Sequence, residues 1–181
     1  MVTTSPARTD RSNQLARYEE AVDSYGAALV RLARSYEADP DLRQDLVQEI
    51  HLALWRSLAL FDGGCSLRTW VYRVAHNAAA TQVVKSRRQR SPLLVGLEAI
   101  DTLASDDNPD RVVERQLLLD ELSALVRQLK PLDRQITVMY LEGLDASSIA
   151  EVTGISPGNV ATKIHRIKSI LAVRARQART R

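Results

Sequence analysis

Residues 145–171 read DASSIAEVTGISPGNVATKIHRIKSIL, and this stretch decides how the chain is built. Asp145 suits the N-cap of a short helix carrying Ile149, Ala150 and Val152. Gly154 follows where a turn must form, because glycine enters left-handed backbone without steric cost. Ser156-Pro157 then starts a second helix, with a hydroxyl cap and a proline at the first helical position. That helix turns Val160, Ile164, Ile167 and Leu171 inward and shows Asn159, Thr162, Lys163, Arg166 and Ser169 outward. Ala150 lets the two helices approach, and Ile155 and Val160 seal them. Two short helices, a tight glycine turn and a cationic outer face describe a helix-turn-helix. A plain helical hairpin inside a bundle accounts for the caps but not for the basic face.

Working back toward the N-terminus, the pattern stays helical. Leu118, Leu122, Leu125 and Leu129 mark an amphipathic helix that stops near Lys130-Pro131. A further helix, about Leu132 to Glu142, is expected to bury Ile136, Met139 and Tyr140, with Gly143 just past its end. In the first half, Leu15, Tyr18, Val22, Tyr25, Leu29, Leu32 and Tyr36 recur at spacings of three and four, until Asp39-Pro40-Asp41 breaks the stripe. A helix from about Asp41 to Leu60 turns Leu46, Ile50, Ala53 and Leu54 inward and leaves Asp45, Gln48, Glu49 and Leu52 opposite. Asp45 and Glu49 are like charges one turn apart, a small cost in an isolated helix and a reason to expect a basic partner. Phe61-Asp62-Gly63-Gly64-Cys65-Ser66 is a loop, and Ser66 caps a third helix running from Leu67 into Arg88. On it, Leu67, Val71, Val74, Ala75 and Ala78 pack inward, while Arg73, Asn77 and Thr81 form a polar stripe continued by Arg88.

Charge divides the chain in the same places. The 181 residues carry 25 Lys+Arg and 22 Asp+Glu, a net +3, yet residues 63–90 hold 6 basic and no acidic groups, 91–110 hold 5 acidic and no basic groups, and 155–181 hold 7 basic and no acidic groups. Two cationic helical blocks around an acidic segment imply two polyanion-binding surfaces joined by a stretch that avoids nucleic acid. Lys85 to Arg90 alone adds four cations in six residues, enough for sequence-independent phosphate attraction. The acidic stretch, with Pro92, Gly96 and Pro109, reads as a linker. The fold expected is therefore all-α: two small helical domains joined by a flexible acidic linker, the C-terminal one holding the helix-turn-helix.

Other classes fit poorly. A single Cys makes no internal disulfide, and no Cys/His group has structural-zinc spacing. His51, His76 and His165 lack the neighbours of a catalytic triad or metal site, so no catalytic residue, metal or cofactor is expected, and His76 is expected to pack or hydrogen-bond. Cys65 has no resolving partner for a redox switch. Met1 to Asn13 has no apolar signal-peptide region, and no apolar run approaches the ~20 residues of a spanning helix, so a cytoplasmic location is expected.

On these residues the chain resembles a bacterial RNA polymerase sigma factor of the extracytoplasmic-function type. Asp45-Leu46-Val47-Gln48-Glu49, Trp55, and Ser66 through Asn77 are similar to the family's second conserved region. Leu129 through Gln135, Tyr140 through Leu144, Ile149 through Ser156, Val160 and His165-Arg166 are similar to its fourth. Ser147-Ser148 stand where relatives often carry acids, Thr153 where Leu is commoner, and Leu67 where some place an aromatic. The resemblance implies a frayed start at 1–14, a region 2 domain at 15–90, a linker at 91–110, a region 4 domain at 111–173 and a basic tail at 174–181. It implies that Asp45, Gln48, Glu49 and Leu52 dock on the clamp helices of the polymerase largest subunit. Phe61, Asp62, Gly63, Gly64, Cys65, Ser66, Leu67, Arg73, Asn77, Thr81, Arg87 and Arg88 would hold the minus-ten DNA. Ser156, Asn159, Thr162, Lys163 and Arg166 would hold the minus-thirty-five element. An anti-sigma protein is the family's usual inhibitor. The alternative, a stand-alone helix-turn-helix regulator binding DNA as a dimer, needs dimerisation or ligand surfaces in the first block instead of an exposed acid pair and an Arg/Asn stripe.

Overall fold

The computed structural model describes residues 6–89 and 119–179; the expected linker at 91–110 lies outside them. The described residues form helices: α1 (Pro6–Tyr36), α2 (Pro40–Leu58), α3 (Leu67–Gln89), a helical segment α4 over 119–127, α5 (Pro131–Leu141), α6 (Ala146–Thr153) and α7 (Pro157–Arg179). α1, α2 and α3 pack on one another as a first module, and α5, α6 and α7 build a second.

Helix ends follow local chemistry. The Asp39 side chain accepts from the backbone N–H of Asp41 and Leu42, with Pro40 at the first helical position of α2. Ser66 Oγ accepts from the Thr69 N–H at 3.1 Å, which starts α3. Asp145 accepts from the Ser148 N–H at 2.9 Å and starts α6. These bonds satisfy backbone donors that a helix leaves open at its first turn, each stabilising by about 1 kcal/mol. Gly63, Gly143 and Gly154 have positive φ, and Gly154, at φ 74, closes α6 in the left-handed cap expected of the helix-turn-helix.

The first module centres on Leu29, Leu32, Leu46, Ile50, Leu54, Leu58, Val71 and Tyr72, all at most 1 % exposed. Full burial of each such side chain contributes about 1.5–3 kcal/mol before chain entropy is charged. The second module centres on Ile136, Met139, Ile149, Val160 and Ile167. Buried side chains of both modules form one continuous cluster.

The structure adds to these expectations at four places. α1 begins at Pro6, a residue suited to a first helical turn, within the stretch expected to be frayed, and Gln14 Nε2 donates to the Trp55 carbonyl at 2.6 Å. Leu15 is on the apolar stripe yet 46 % exposed. Tyr140 is 37 % exposed instead of buried, its ring 4.6 Å from Lys168 Nζ, a cation–π contact at the rim of the second module. The expected tail begins inside α7, which continues to Arg179.

Candidate polymerase and DNA interfaces

α2 is built as a two-faced helix. Leu46, Ile50, Leu54 and Leu58 are buried on one side. Asp45, Gln48, Glu49 and Leu52 are all exposed on the other, so the structure brings together every residue proposed for docking. Leu52, 46 % exposed, puts an apolar patch one turn beyond Glu49. Among the described residues neither Asp45 nor Glu49 is in an ion pair. The face therefore carries uncompensated negative charge next to an exposed leucine.

The 61–66 loop and α3 form the next surface. The loop is anchored from beneath. Arg17 donates Nη1 to the Phe61 carbonyl at 2.7 Å and sets its guanidinium 5.3 Å from the Phe61 ring centroid. Phe61 also lies 5.3 Å from the Trp70 ring, and Trp70 Nε1 donates to Ser57 Oγ at 3.1 Å. Half-buried Phe61 thus holds the loop in place, a structural role that the sequence did not signal. Asp62 accepts from the Gly64 N–H at 2.9 Å, a local turn that leaves Asp62, Gly63 and Gly64 exposed. Leu67 and Cys65 are half-buried, and Cys65 is a free thiol. Asn77 and Thr81 are exposed one turn apart, but the Thr81 hydroxyl donates to the Asn77 carbonyl at 2.8 Å. Arg87 and Arg88 lie within α3. Their side chains lie outside the described residues.

Behind this surface α3 buries His76 completely, with Nδ1 2.9 Å from the Tyr36 hydroxyl. Burial lowers the His76 pKa to about 3, so the imidazole is neutral, and burial raises Tyr36 to about 12 despite the nearby Arg134. His51, half-buried beside the Tyr18 hydroxyl at 2.9 Å, is also shifted down by burial. Both are packing residues, and no group of His, Cys, Asp and Glu among the described residues is arranged to hold a metal ion.

α7 carries the third surface. Ser156, Asn159, Thr162 and Arg166 are exposed on it, with Lys163 half-buried. Ser156 Oγ accepts from the Asn159 N–H at 3.3 Å and caps the helix. Lys163 and Arg166 are not simply outward. Lys163 Nζ donates to Asp133 Oδ1 at 2.8 Å, and Arg166 Nη2 donates to Asp133 Oδ2 at 3.0 Å. Asp133, on α5 and nearly buried, orients both cations, while the Arg166 side chain stays 60 % exposed and able to reach a ligand. Asp133 was missed because its partners lie thirty residues away, beyond any helical periodicity. His165 is exposed at the edge of that face, one turn from Thr162.

Residues 21–89 match the model of sigma-70 region 2, and residues 119–171 match the model of sigma-70 region 4. The chain belongs to the sigma-70 family, as an extracytoplasmic-function RNA polymerase sigma factor. It is 28% identical over 171 residues to the RNA polymerase sigma-H factor of Pseudomonas aeruginosa, covering 91% of this chain and 88% of that one. It is 27% identical over 174 residues to the extracytoplasmic-function RNA polymerase sigma-E factor of Escherichia coli, with the same coverage of 91% and 88%. Its fold is similar to that of CnrH in a structure with the cytosolic domain of CnrY, at a TM-score of 0.65 and 21% identity over 93% of this chain and 97% of that one. As a sigma factor the protein binds core RNA polymerase and directs promoter recognition and transcription initiation. The dimeric-regulator alternative is not favoured, since both sigma regions occur in order on one chain. Sigma factors are non-enzymatic regulators of transcription. Among the described residues no helix is long and apolar enough to cross a membrane.

Proposed function

We propose that the exposed α2 face, with Asp45, Gln48, Glu49 and Leu52, docks on the clamp helices of the polymerase largest subunit. The observation that carries this is the pair of exposed like charges followed one turn on by exposed Leu52, with no ion-pair partner for the acids among the described residues, on the side of α2 opposite its buried leucines. Coulomb attraction to basic helices needs no intramolecular bond to break first, and the leucine adds buried apolar area on docking.

The loop at 61–66, with Leu67, Arg73, Asn77 and Thr81, captures minus-ten bases as the strands part. Arg87 and Arg88 hold the backbone there. Extracting a base from the stack costs a few kcal/mol, and polymerase binding offsets it. α7 enters the major groove at the minus-thirty-five element, where Arg166 and Asn159 have the bidentate chemistry of base readout. Ser156, Thr162 and Lys163 contact the same element, with the basic end of the helix on phosphates. The protein performs no bond chemistry itself, uses no cofactor, and works in the cytoplasm with polymerase. An anti-sigma protein restrains it, a reading supported by the partner-bound state of the similar CnrH structure.

The test is run-off transcription with core polymerase on a promoter library. Defined start sites that need this chain support the reading and return the recognised sequence; absence of any defined start defeats it.

A further inference from the structure

The 61–66 loop is held at its ends and open at its tip. Asp62, Gly63 and Gly64 are exposed, and ordering consecutive glycines costs more backbone entropy than ordering other residues. The Asp62 bond to the Gly64 N–H lies in water. A stance fit for reading DNA must therefore be set from the ends of the loop. At one end Ser66 caps α3, its hydroxyl accepting from the Thr69 N–H and donating to the Thr69 hydroxyl at 2.9 Å. At the other end stands Phe61, whose ring and carbonyl are both held from α1.

Gln14 and Arg17 are neighbours one turn apart on α1, so they reach the end of α2 together. Gln14 bonds to the Trp55 carbonyl in the last turn of α2, where a helix leaves carbonyls without an internal partner. Arg17 Nη1 donates to the Phe61 carbonyl at 2.7 Å, with its guanidinium 5.3 Å from the Phe61 ring centroid. The same ring lies 5.3 Å from Trp70, which is tied through Ser57 Oγ to the Leu54 carbonyl at 3.0 Å. Phe61 thus joins α1 to α3, and Trp70 precedes Arg73 by one turn. A displaced Phe61 would move both the loop and the turn of α3 that presents Arg73. Arg17 achieves this with neutral partners, since among the described residues it is in no ion pair. A carbonyl bond and a cation–π contact bring no carboxylate to a surface assigned to phosphate. Arg17 also precedes residues 21–89, which match region 2, and lies outside the proposed docking and DNA-reading sets.

We propose that Arg17 is a positioning residue for strand capture: from α1 it holds Phe61, and through Phe61 it sets the stance of the loop and of Arg73 before DNA arrives. The inference rests on the assignment of the 61–66 loop to minus-ten DNA. A base leaving the stack is stabilised only by contacts that are ready to receive it, so misplacement of the loop falls on the opening step. Loss of the anchor therefore penalises opening of an intact duplex more than use of strands already apart.

The experiment uses the full chain with core polymerase and a promoter recovered from the run-off library. The promoter is supplied as intact duplex and as the same DNA with its minus-ten stretch mismatched into a bubble. Arg17→Ala should lower run-off roughly tenfold on the duplex and by less than about twofold on the bubble. Equal losses on both templates, or no loss on either, overturn the proposal. Phe61→Leu should reproduce the split, and adding Arg17→Ala to it should cost little more, since both changes strike one anchor. Losses that multiply would give Arg17 a DNA contact of its own and overturn the positioning role. Hydrogen–deuterium exchange of the free chain needs no promoter. In Arg17→Ala it should rise over 59–66 and stay at the wild-type level over 46–54, where α2 is buried on its inner side. Unchanged exchange over the loop, or a rise across all of α2, overturns the anchor. If the loop loosens while duplex run-off is unchanged, Arg17 still holds the loop but the minus-ten assignment, and strand capture with it, falls. Should the wild type give no defined start, the functional reading itself has failed, and exchange alone decides the anchor.

Discussion

The two modules use charge in opposite ways. In the first, α2 leaves Asp45 and Glu49 exposed and outside any ion pair of the described residues, so a partner finds them ready. In the second, Lys163 and Arg166 are both engaged by the nearly buried Asp133. Binding DNA through them means sharing or exchanging that carboxylate. An uncommitted patch favours fast, salt-sensitive association, whereas a tethered pair gives up attraction in return for fixed orientation. The first property suits docking on a large machine, and the second suits reading a sequence.

The largest expected effect tests the uncommitted side. Asp45→Lys with Glu49→Lys should abolish capture by core polymerase, because attraction becomes repulsion across the whole face. Circular dichroism should show an unchanged helical fold, since both residues are exposed. Retained capture would remove the functional half of the contrast.

Next comes acid stability of the first module. His76 titrates near 3 when folded because burial disfavours its charge, so between that value and the ordinary histidine range near 6.5 the unfolded chain binds the extra proton. Stability contributed by the neutral imidazole is therefore fully present above about 6.5 and is lost as pH falls toward 3, by a few kcal/mol in total. Thermal melts of wild type and His76→Gln at pH 7.5 and pH 5 check it. The wild type should lose more on acidification, and equal losses would show that His76 is not held neutral by the core.

Arg166→Ala sharpens the other side. If the guanidinium makes a bidentate base contact, minus-thirty-five binding should weaken by ~1–3 kcal/mol, with discrimination relaxed at one base position. Footprints of undiminished strength over that element would show that Asp133 keeps Arg166 for itself. The smallest effect belongs to Asp133→Asn. Losing the carboxylate that orients both cations should destabilise the module by about 1 kcal/mol in denaturant melts. The same change should steepen the salt dependence of non-specific DNA binding, as freed cations meet phosphates. A parallel salt slope would mean that the cations were never restrained.

Much of the frame was legible because it depends on neighbours in sequence. The breaks at Pro40 and Pro131, the Ser66 and Asp145 caps and the Gly154 turn are one-turn chemistry, and each is where the pattern implied. The α2 face was legible for the same reason, since Leu46, Ile50 and Leu54 at spacings of four leave their opposites exposed. Periodicity failed at Leu15 and Tyr140, which lie on an inward stripe yet stay 46 % and 37 % exposed. It also missed Phe61 as an anchor and Asp133 as a clamp, because Arg17, Lys163 and Arg166 reach them across long intervals of chain.

Sequence alone determined the helices, their ends, the helix-turn-helix and the polarity of each face, all consequences of helical geometry and capping within a few residues. Only the tertiary structure decided which charges are free. Ion pairs such as Arg31–Glu142, 111 residues apart, form when packing brings distant helices within about 3 Å, and no local pattern encodes that approach.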